Sequence, residues 1–153
     1  MAENSELKTL LKKLFSSQLL AVLGTQSPSG PYGNLVAFAE TDDLKKLLFA
    51  TTRSTRKYKN LIENPEVAMV IDNRSNHEDD FHEAVAVTAT GFAKELHGTE
   101  RDELQGVFLQ KHKYLVDFVA SPTCAFLYLD VKTYYIVQRF QNVTELDISS
   151  CPS

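Results

Sequence analysis

The sequence has few cysteines and no long apolar segment. Its two cysteines, Cys124 and Cys151, are far apart and form no CxxC pair, so neither a zinc framework nor a disulfide scaffold is predicted. No apolar run approaches the roughly 18 residues that cross a bilayer, and the acidic, polar N-terminus shows no secretory signal. Free thiols without a signal sequence predict a reducing, cytoplasmic environment.

An excess of basic residues is also missing. The chain has 16 Lys and Arg against 20 Asp and Glu, a net charge of −4. Binding to nucleic acid depends on clustered cations that neutralise phosphates, so we expect no nucleic-acid partner, and we expect no membrane partner. With 153 residues, 43% of them hydrophobic and 24% charged, the chain is predicted to form one domain over 1–153, with its core at about 14–140.

Apolar periodicity predicts a strand-rich chain with a helix at its start. Apolar residues between Leu7 and Phe15 repeat at helical spacing, and Ser5 is a suitable N-cap for that helix. Short apolar or alternating runs separated by turn residues predict strands at 19–25, 34–40, 46–52, 67–72 and 84–94, and one long or two short strands within 124–140. Residues 73–83 are predicted to form a polar loop.

Further helices are predicted between these strands. Thr55 is the expected N-cap of a short helix that ends at Asn64-Pro65. Thr99 and Asp102 resemble a capping box, and they open a helix that turns three apolar side chains inward: Leu104, Val107 and Phe108. The fold class is therefore mainly β (β+α), a small antiparallel β-barrel with flanking helices, because closing the sheet removes exposed strand edges.

The segment from Ala50 to Lys59 carries the strongest chemical signal. It joins a predicted strand to a helix N-terminus, and the four basic residues between Arg53 and Lys59 have no acid among them. Unpaired N–H groups and the helix dipole suit a phosphate, and Arg and Lys add charge-assisted hydrogen bonds. The alternative interpretation is an ordinary capped helix with a solvated basic face.

The same segment resembles a known family. The run Leu47-Leu48-Phe49-Ala50-Thr51-Thr52-Arg53-Ser54-Thr55-Arg56-Lys57-Tyr58-Lys59-Asn60-Leu61, followed by Glu63-Asn64-Pro65-Glu66-Val67, is similar to the pyridoxamine 5′-phosphate oxidase-like superfamily of FMN-binding split-barrel flavoproteins. The strand, the basic turn, the helix and the Asn-Pro pair occur in the family's order. A looser similarity extends over about 14–140.

The resemblance implies a six-stranded antiparallel split β-barrel, a homodimer, and FMN bound at the dimer interface. Three groups of cofactor-binding residues are implied: Ala50, Thr51 and Thr52 beside the flavin and its ribityl chain; Thr55, Arg56 and Lys57 at the phosphate; and Asn34, Leu35 and Val36 along the ring. No catalytic side chain and no metal ligand is predicted.

One departure from the family pattern bears on activity. The vitamin B6 oxidases complete their site with a C-terminal segment containing Trp and Arg, whereas this chain has no Trp and offers only Tyr134, Tyr135 and Arg139 in that region. We therefore expect an FMN-dependent oxidoreductase that passes electrons from a nicotinamide donor to an unidentified small-molecule acceptor, and that is not a true vitamin B6 oxidase. Two alternatives stay open: a member that uses the deazaflavin F420 or haem, and a non-catalytic flavin-binding sensor, carrier or electron-transfer module.

Two other segments are weaker candidates. The stretch 77–83 holds two His and four acids, but its mixed charge favours an exposed loop over a metal site. His112 follows a predicted helix end, where it suits the helix dipole, and the family resemblance also allows a position near the flavin.

Overall fold

In the computed structural model, which describes residues 2–152, the chain is a strand-rich fold with helices between its strands. The strands are β1 (Leu20–Ser27), β2 (Gly30–Glu40), β3 (Lys46–Thr52), β4 (Glu66–Asp72), β5 (Val85–Glu95), β6 (Cys124–Gln138) and β7 (Asn142–Asp147). The α-helices are α1 (Ala2–Ser17), α2 (Arg56–Glu63), α3 (Asp80–Glu83), α4 (Gly98–Lys111) and α5 (Val116–Ala120), with short 3₁₀ turns at Lys113–Leu115 and Ile148–Ser150.

Six of the strands close into an antiparallel barrel. The order is β3-β2-β1-β4-β5-β6, and β3 also pairs with β6, while β7 adds to the outer edge of β6. The first half of β6 pairs with β3 and its second half with β7, so one long strand serves both. The predicted six-stranded antiparallel barrel with flanking helices is therefore confirmed.

The barrel interior is filled mainly by aromatic and aliphatic side chains, and α1 packs against it. Phe15 of α1 is fully buried, and its ring lies 5.8 Å from those of Phe38 and Tyr134. The Tyr134 hydroxyl donates to the Leu44 carbonyl at 2.7 Å, so this buried phenol is satisfied. Each large apolar side chain buried in this way stabilises the fold by about 1.5–3 kcal/mol.

A second apolar cluster lies outside the barrel. Here α4 and α5 cover the outer side of β2, β3 and β6, with Phe108 and Val119 packed on Leu48 and Phe126. His112, at the end of α4, is buried, and its Nε2 lies 2.6 Å from the Phe38 carbonyl. Because a carbonyl only accepts, Nε2 is the protonated nitrogen.

A bulge in β6, where Lys132 has no partner in β5, brings β6 close to β5. The β5–β6 register shifts between Thr90 and Gly91. A Cβ on Gly91 would meet the Asp130 carbonyl oxygen at 1.9 Å, so only glycine fits this position.

Several local predictions are wrong. The first helix begins at Ala2, upstream of Ser5, and α4 begins at Gly98 after His97, with no side-chain cap from the Thr99 pattern. Val107 is 39% exposed, because only Phe108 of that turn points fully at the barrel. The loop 73–83 contains the single turn α3, which begins where Asp80 accepts hydrogen bonds from the backbone of Ser75 and Asn76.

β7 is the largest element that sequence patterns missed. Residues 124–138 form one long strand, which is one of the two forms predicted for that segment, and the weakly patterned tail forms most of β7. Leu146 and the following Ile148 are buried against the main core.

Candidate functional site

The candidate site lies where two neighbouring strands separate. β2 and β3 pair only from Phe38 to Glu40, so the earlier part of β2 bonds only to β1 and the end of β3 bonds only to β6. Helix α2 lies beside this opening. On its inner side the buried Asn60 amide donates to the Thr25 hydroxyl at 3.0 Å, which fixes the helix to β1.

The turn that leads into α2 is held by Thr55. Its hydroxyl donates to the Thr52 carbonyl at 2.8 Å and accepts from the Tyr58 N–H at 3.3 Å. The Thr51 hydroxyl lies 3.0 Å from that of Thr55 and is the donor of the pair, because the single Thr55 proton is already used. The Thr55 hydroxyl is thus the helix cap, and the turn offers a ligand the N–H groups of Arg56 and Lys57.

Lys57 spans the opening between the strands. When the Asn34 amide is oriented so that its nitrogen donates to the Leu23 carbonyl at 3.2 Å, its oxygen accepts from the Lys57 ammonium at 3.0 Å. The Lys57 side chain is half-buried, and this burial lowers its pKa. Within residues 2–152 this partly desolvated ammonium has only the neutral Asn34 amide as a partner, so an anion beside it would be attracted strongly.

Arg56 lies on the exposed side of the same turn. Its guanidinium is 5.8 Å from the centre of the Tyr32 ring, a cation–π contact that orients it over the start of β2. Together with the first-turn N–H groups, Arg56 and Lys57 make this end of α2 strongly positive.

Arg53, the first basic residue of the turn, is used structurally. Its guanidinium donates to Glu95 at 2.6 Å and to the Pro122 and Cys124 carbonyls at 3.1 and 3.0 Å. Tyr58 also donates to Glu95, at 2.7 Å. Partial burial acts to raise the pKa of Glu95, but the hydrogen bonds from Tyr58 and Arg53 outweigh it and leave that pKa below the usual range.

The remaining predicted site residues fall on two sides of the sheet. Val36 and Thr51 are buried towards the barrel interior, whereas Leu35 is 62% exposed on the outside and Ala50 packs against the outer apolar cluster. The structure brings together Asn34 with Lys57, and Thr51 with Thr55. The assignment of the nine residues to a flavin stays a prediction.

The weaker candidates lie away from this turn. His112 contacts Phe38 and Phe108, and burial lowers the pKa of its imidazole, which favours the neutral ring. Arg139 is in the β6–β7 turn with a positive φ of 50°. Among residues 2–152, no three His, Cys, Asp or Glu side chains come together in a way that could hold a metal. In the same range no helix is long and apolar enough to span a membrane.

Sequence reasoning missed three partners of the turn: Glu95, Thr25 and Tyr32. Each lies on a strand that is distant in sequence from α2, and no local pattern marks it. Only the pairing of the strands brings these residues next to the basic turn.

Comparison with known proteins gives a family and a set of similar folds. Residues 7–138 match the family model described as pyridoxamine 5′-phosphate oxidase. No curated protein matches the chain. A solved protein from Clostridium acetobutylicum, described as related to general stress protein 26 of the pyridoxinephosphate oxidase family, is 16% identical with a TM-score of 0.74, and the match covers 94% of this chain and 96% of that one.

Two other similar structures carry names that mention a cofactor. A heme binding protein from Mycobacterium smegmatis is 16% identical with a TM-score of 0.79 over 89% of this chain, which spans only 55% of that protein. A FAD-binding protein from Mesorhizobium loti is 15% identical with a TM-score of 0.69, over 84% of this chain and 90% of that one. At these identities the likeness concerns the fold alone.

Proposed function

Because the chain belongs to the pyridoxamine 5′-phosphate oxidase family, we propose that it is an FMN-binding flavoprotein and an oxidoreductase with an unidentified substrate. The observation that carries the proposal is the positive turn at the start of α2. There Lys57 is held by Asn34 in the opening between β2 and β3, and Arg56 lies beside it. When bound, the flavin would supply hydride- and electron-transfer chemistry, as cofactors do.

The residues of the turn fit a phosphate monoester. The N–H groups of Arg56 and Lys57 have no partner within the helix, since they belong to its first turn. Their side chains supply two cations, and the third cation of the turn, Arg53, keeps the turn in shape through Glu95. A phosphate therefore meets donors that are already ordered, which lowers the entropic cost of binding.

We propose that the flavin is not used to oxidise B6 vitamers. A second phosphate, that of the vitamer, needs its own cationic clamp. The chain has no Trp, and Arg139 lies in the β6–β7 turn, where it lines a depression with His82 and Glu83 instead of joining the basic turn.

A homodimer is part of the proposal. On the outer face of β1 and β2, Leu20 and Leu35 are 53% and 62% exposed, and Val22 lies directly opposite Leu35. Gly24 and Gly33 are also paired on this face, so its centre carries apolar residues. A contiguous apolar patch of this kind is typical of an interface. Leu35 follows Asn34, which holds Lys57, so the patch lies next to the basic turn.

The cofactor and the activity are tested separately. Protein purified from the cytoplasm of an expression host would be denatured, and the released cofactor identified by its absorption spectrum and mass. FMN supports the proposal, FAD supports a flavoprotein whose cofactor is the dinucleotide, and haem or a deazaflavin contradicts the proposal. Steady oxidation of NADH or NADPH by the FMN-loaded protein with a panel of acceptors supports an oxidoreductase, and its absence across the panel favours a flavin-binding carrier or sensor.

A further inference from the structure

An open cleft adjoins the basic turn, between α2 and the β1–β2 hairpin. Its volume is about 840 Å³. One wall is the β1–β2 hairpin at Ser27, Pro28 and Ser29, and the other is the exposed side of α2 at Lys59 and Ile62. Pockets that hold whole small-molecule ligands measure roughly 300–1,000 Å³, so this cleft is far larger than one phosphate group requires.

The cleft and the predicted flavin residues are almost separate sets. They share only Thr55 and Arg56, at the first turn of α2. Lys57, Asn34 and the residues of β3 line no part of the cleft. A ligand whose phosphate lies at this turn and whose flavin lies on the barrel side leaves the cleft empty, unless the ligand continues beyond that phosphate.

The lining suits such a continuation. Lys59 lies three residues after Arg56 and thus on the same side of the helix, and its exposed ammonium has no ion pair or side-chain hydrogen bond among residues 2–152. It is placed to meet a second phosphate. Ile62, 62% exposed one turn further on, lines the cleft together with Pro28, so the cleft has two apolar side chains beside the Glu63 carboxylate.

Hydroxyl groups of the hairpin complete the site. The Ser27 hydroxyl donates to the Gly30 carbonyl at 2.8 Å and lies 3.1 Å from that of Ser29. The Ser27 proton is used, so Ser29 donates to Ser27 in the free protein, and its oxygen keeps acceptor capacity towards the cleft. Hydroxyl groups and apolar side chains in one cleft suit a ribose joined to a purine ring.

We infer that this cleft is a binding subsite for the adenosine monophosphate half of FAD, with Lys59 paired to the second phosphate and Pro28 and Ile62 beside the adenine. The inference rests on the proposed flavin site. It assigns to this chain a preference for the dinucleotide over FMN, because only the dinucleotide occupies both the basic turn and the cleft.

The test is a titration of the apoprotein with FMN, FAD and riboflavin, followed by flavin fluorescence and calorimetry. We expect FAD to bind at least about tenfold more tightly than FMN, since it adds an ion pair and apolar burial. Lys59→Ala should weaken FAD about fivefold and leave FMN unchanged, as expected for one exposed ion pair. Ile62→Glu, which puts a negative charge at an exposed helical position, should weaken FAD further and spare FMN.

Lys113→Ala is the matched control, because Lys113 is an exposed lysine on the turn after α4, far along the chain from the cleft. FMN binding with FAD weaker than FMN overturns the subsite and leaves the flavin proposal intact. FAD affinity that is the same in the wild type, Lys59→Ala and Ile62→Glu also overturns it. Failure of FMN, FAD and riboflavin to bind at all overturns both proposals.

Discussion

The phosphate assignment is tested most directly by removing the two cations of the turn one at a time. Lys57→Met keeps the apolar stem and removes the charge, and Arg56→Gln keeps the length and hydrogen-bonding ability of its side chain. If these cations bind the phosphate of FMN, both substitutions weaken FMN but not riboflavin, which has no phosphate.

The structure predicts unequal effects. The Lys57 ammonium is half-buried beside Asn34, where a charge-assisted hydrogen bond contributes about 2–3 kcal/mol, so Lys57→Met should weaken FMN about 30- to 150-fold. The Arg56 guanidinium is exposed over Tyr32, where ion pairs contribute less, so Arg56→Gln should weaken FMN only about fivefold. The double variant should lose at least about 100-fold.

The assay is a fluorescence titration of apoprotein with each flavin, with thermal unfolding recorded for every variant. Lys113→Ala serves as a charge-matched control outside the site and should bind FMN like the wild type. An unchanged FMN affinity in the double variant refutes the phosphate assignment. Equal losses of FMN and riboflavin also refute it, because they indicate damage to the fold or to the ring site.

Three further predictions concern the apolar face of β1 and β2, the absence of a C-terminal segment with Trp and Arg, and the Arg53–Glu95 ion pair. Sedimentation equilibrium should give a mass of about 34 kDa, twice the chain mass of 17.2 kDa. Leu35→Asp, which puts a charge on the exposed apolar face, should give a monomer that has lost FMN. A wild-type monomer that holds FMN tightly contradicts the dimer. FMN-loaded protein incubated with pyridoxamine or pyridoxine phosphate under oxygen should form no more pyridoxal phosphate than free FMN does, and catalytic production would show that another clamp exists. Because the pKa of Glu95 is depressed in the folded state, its contribution to stability is present above the unfolded carboxyl value of about 4.3 and is lost as pH falls through the folded value. Urea unfolding across this range should therefore show a shallower acid loss for Glu95→Gln than for the wild type, and identical slopes would contradict the role given to the Arg53–Glu95 pair.

Much of the fold was predictable from the sequence because its signals are local. The alternation in β5 and the apolar runs of β1 and β3 indicate strands whatever their pairing partners are, because side chains in a strand alternate with period two. Thr55 was identified as a helix cap because a cap depends only on the next three residues, and the structure has that hydrogen bond to Tyr58.

Local signals failed where tertiary contacts override them. The Thr99 pattern does not cap α4, which begins at Gly98 with a φ of 62°. β7 has little apolar patterning, and it forms because the second half of β6 offers an unpaired edge once β3 has ended.

The sequence by itself determined the strands, the cap at Thr55 and the presence of a basic turn before α2. Only the tertiary structure decided which of its cations are available: Arg53 is neutralised by Glu95, 42 residues away, whereas Lys57 meets Asn34 in the opening between β2 and β3. The cleft beside α2 is likewise formed by a hairpin and a helix that are distant along the chain. The reason is physical: a cap or a pleat depends on neighbours within a few residues, whereas a side chain's partner across a barrel depends on strand register, which long-range pairing sets.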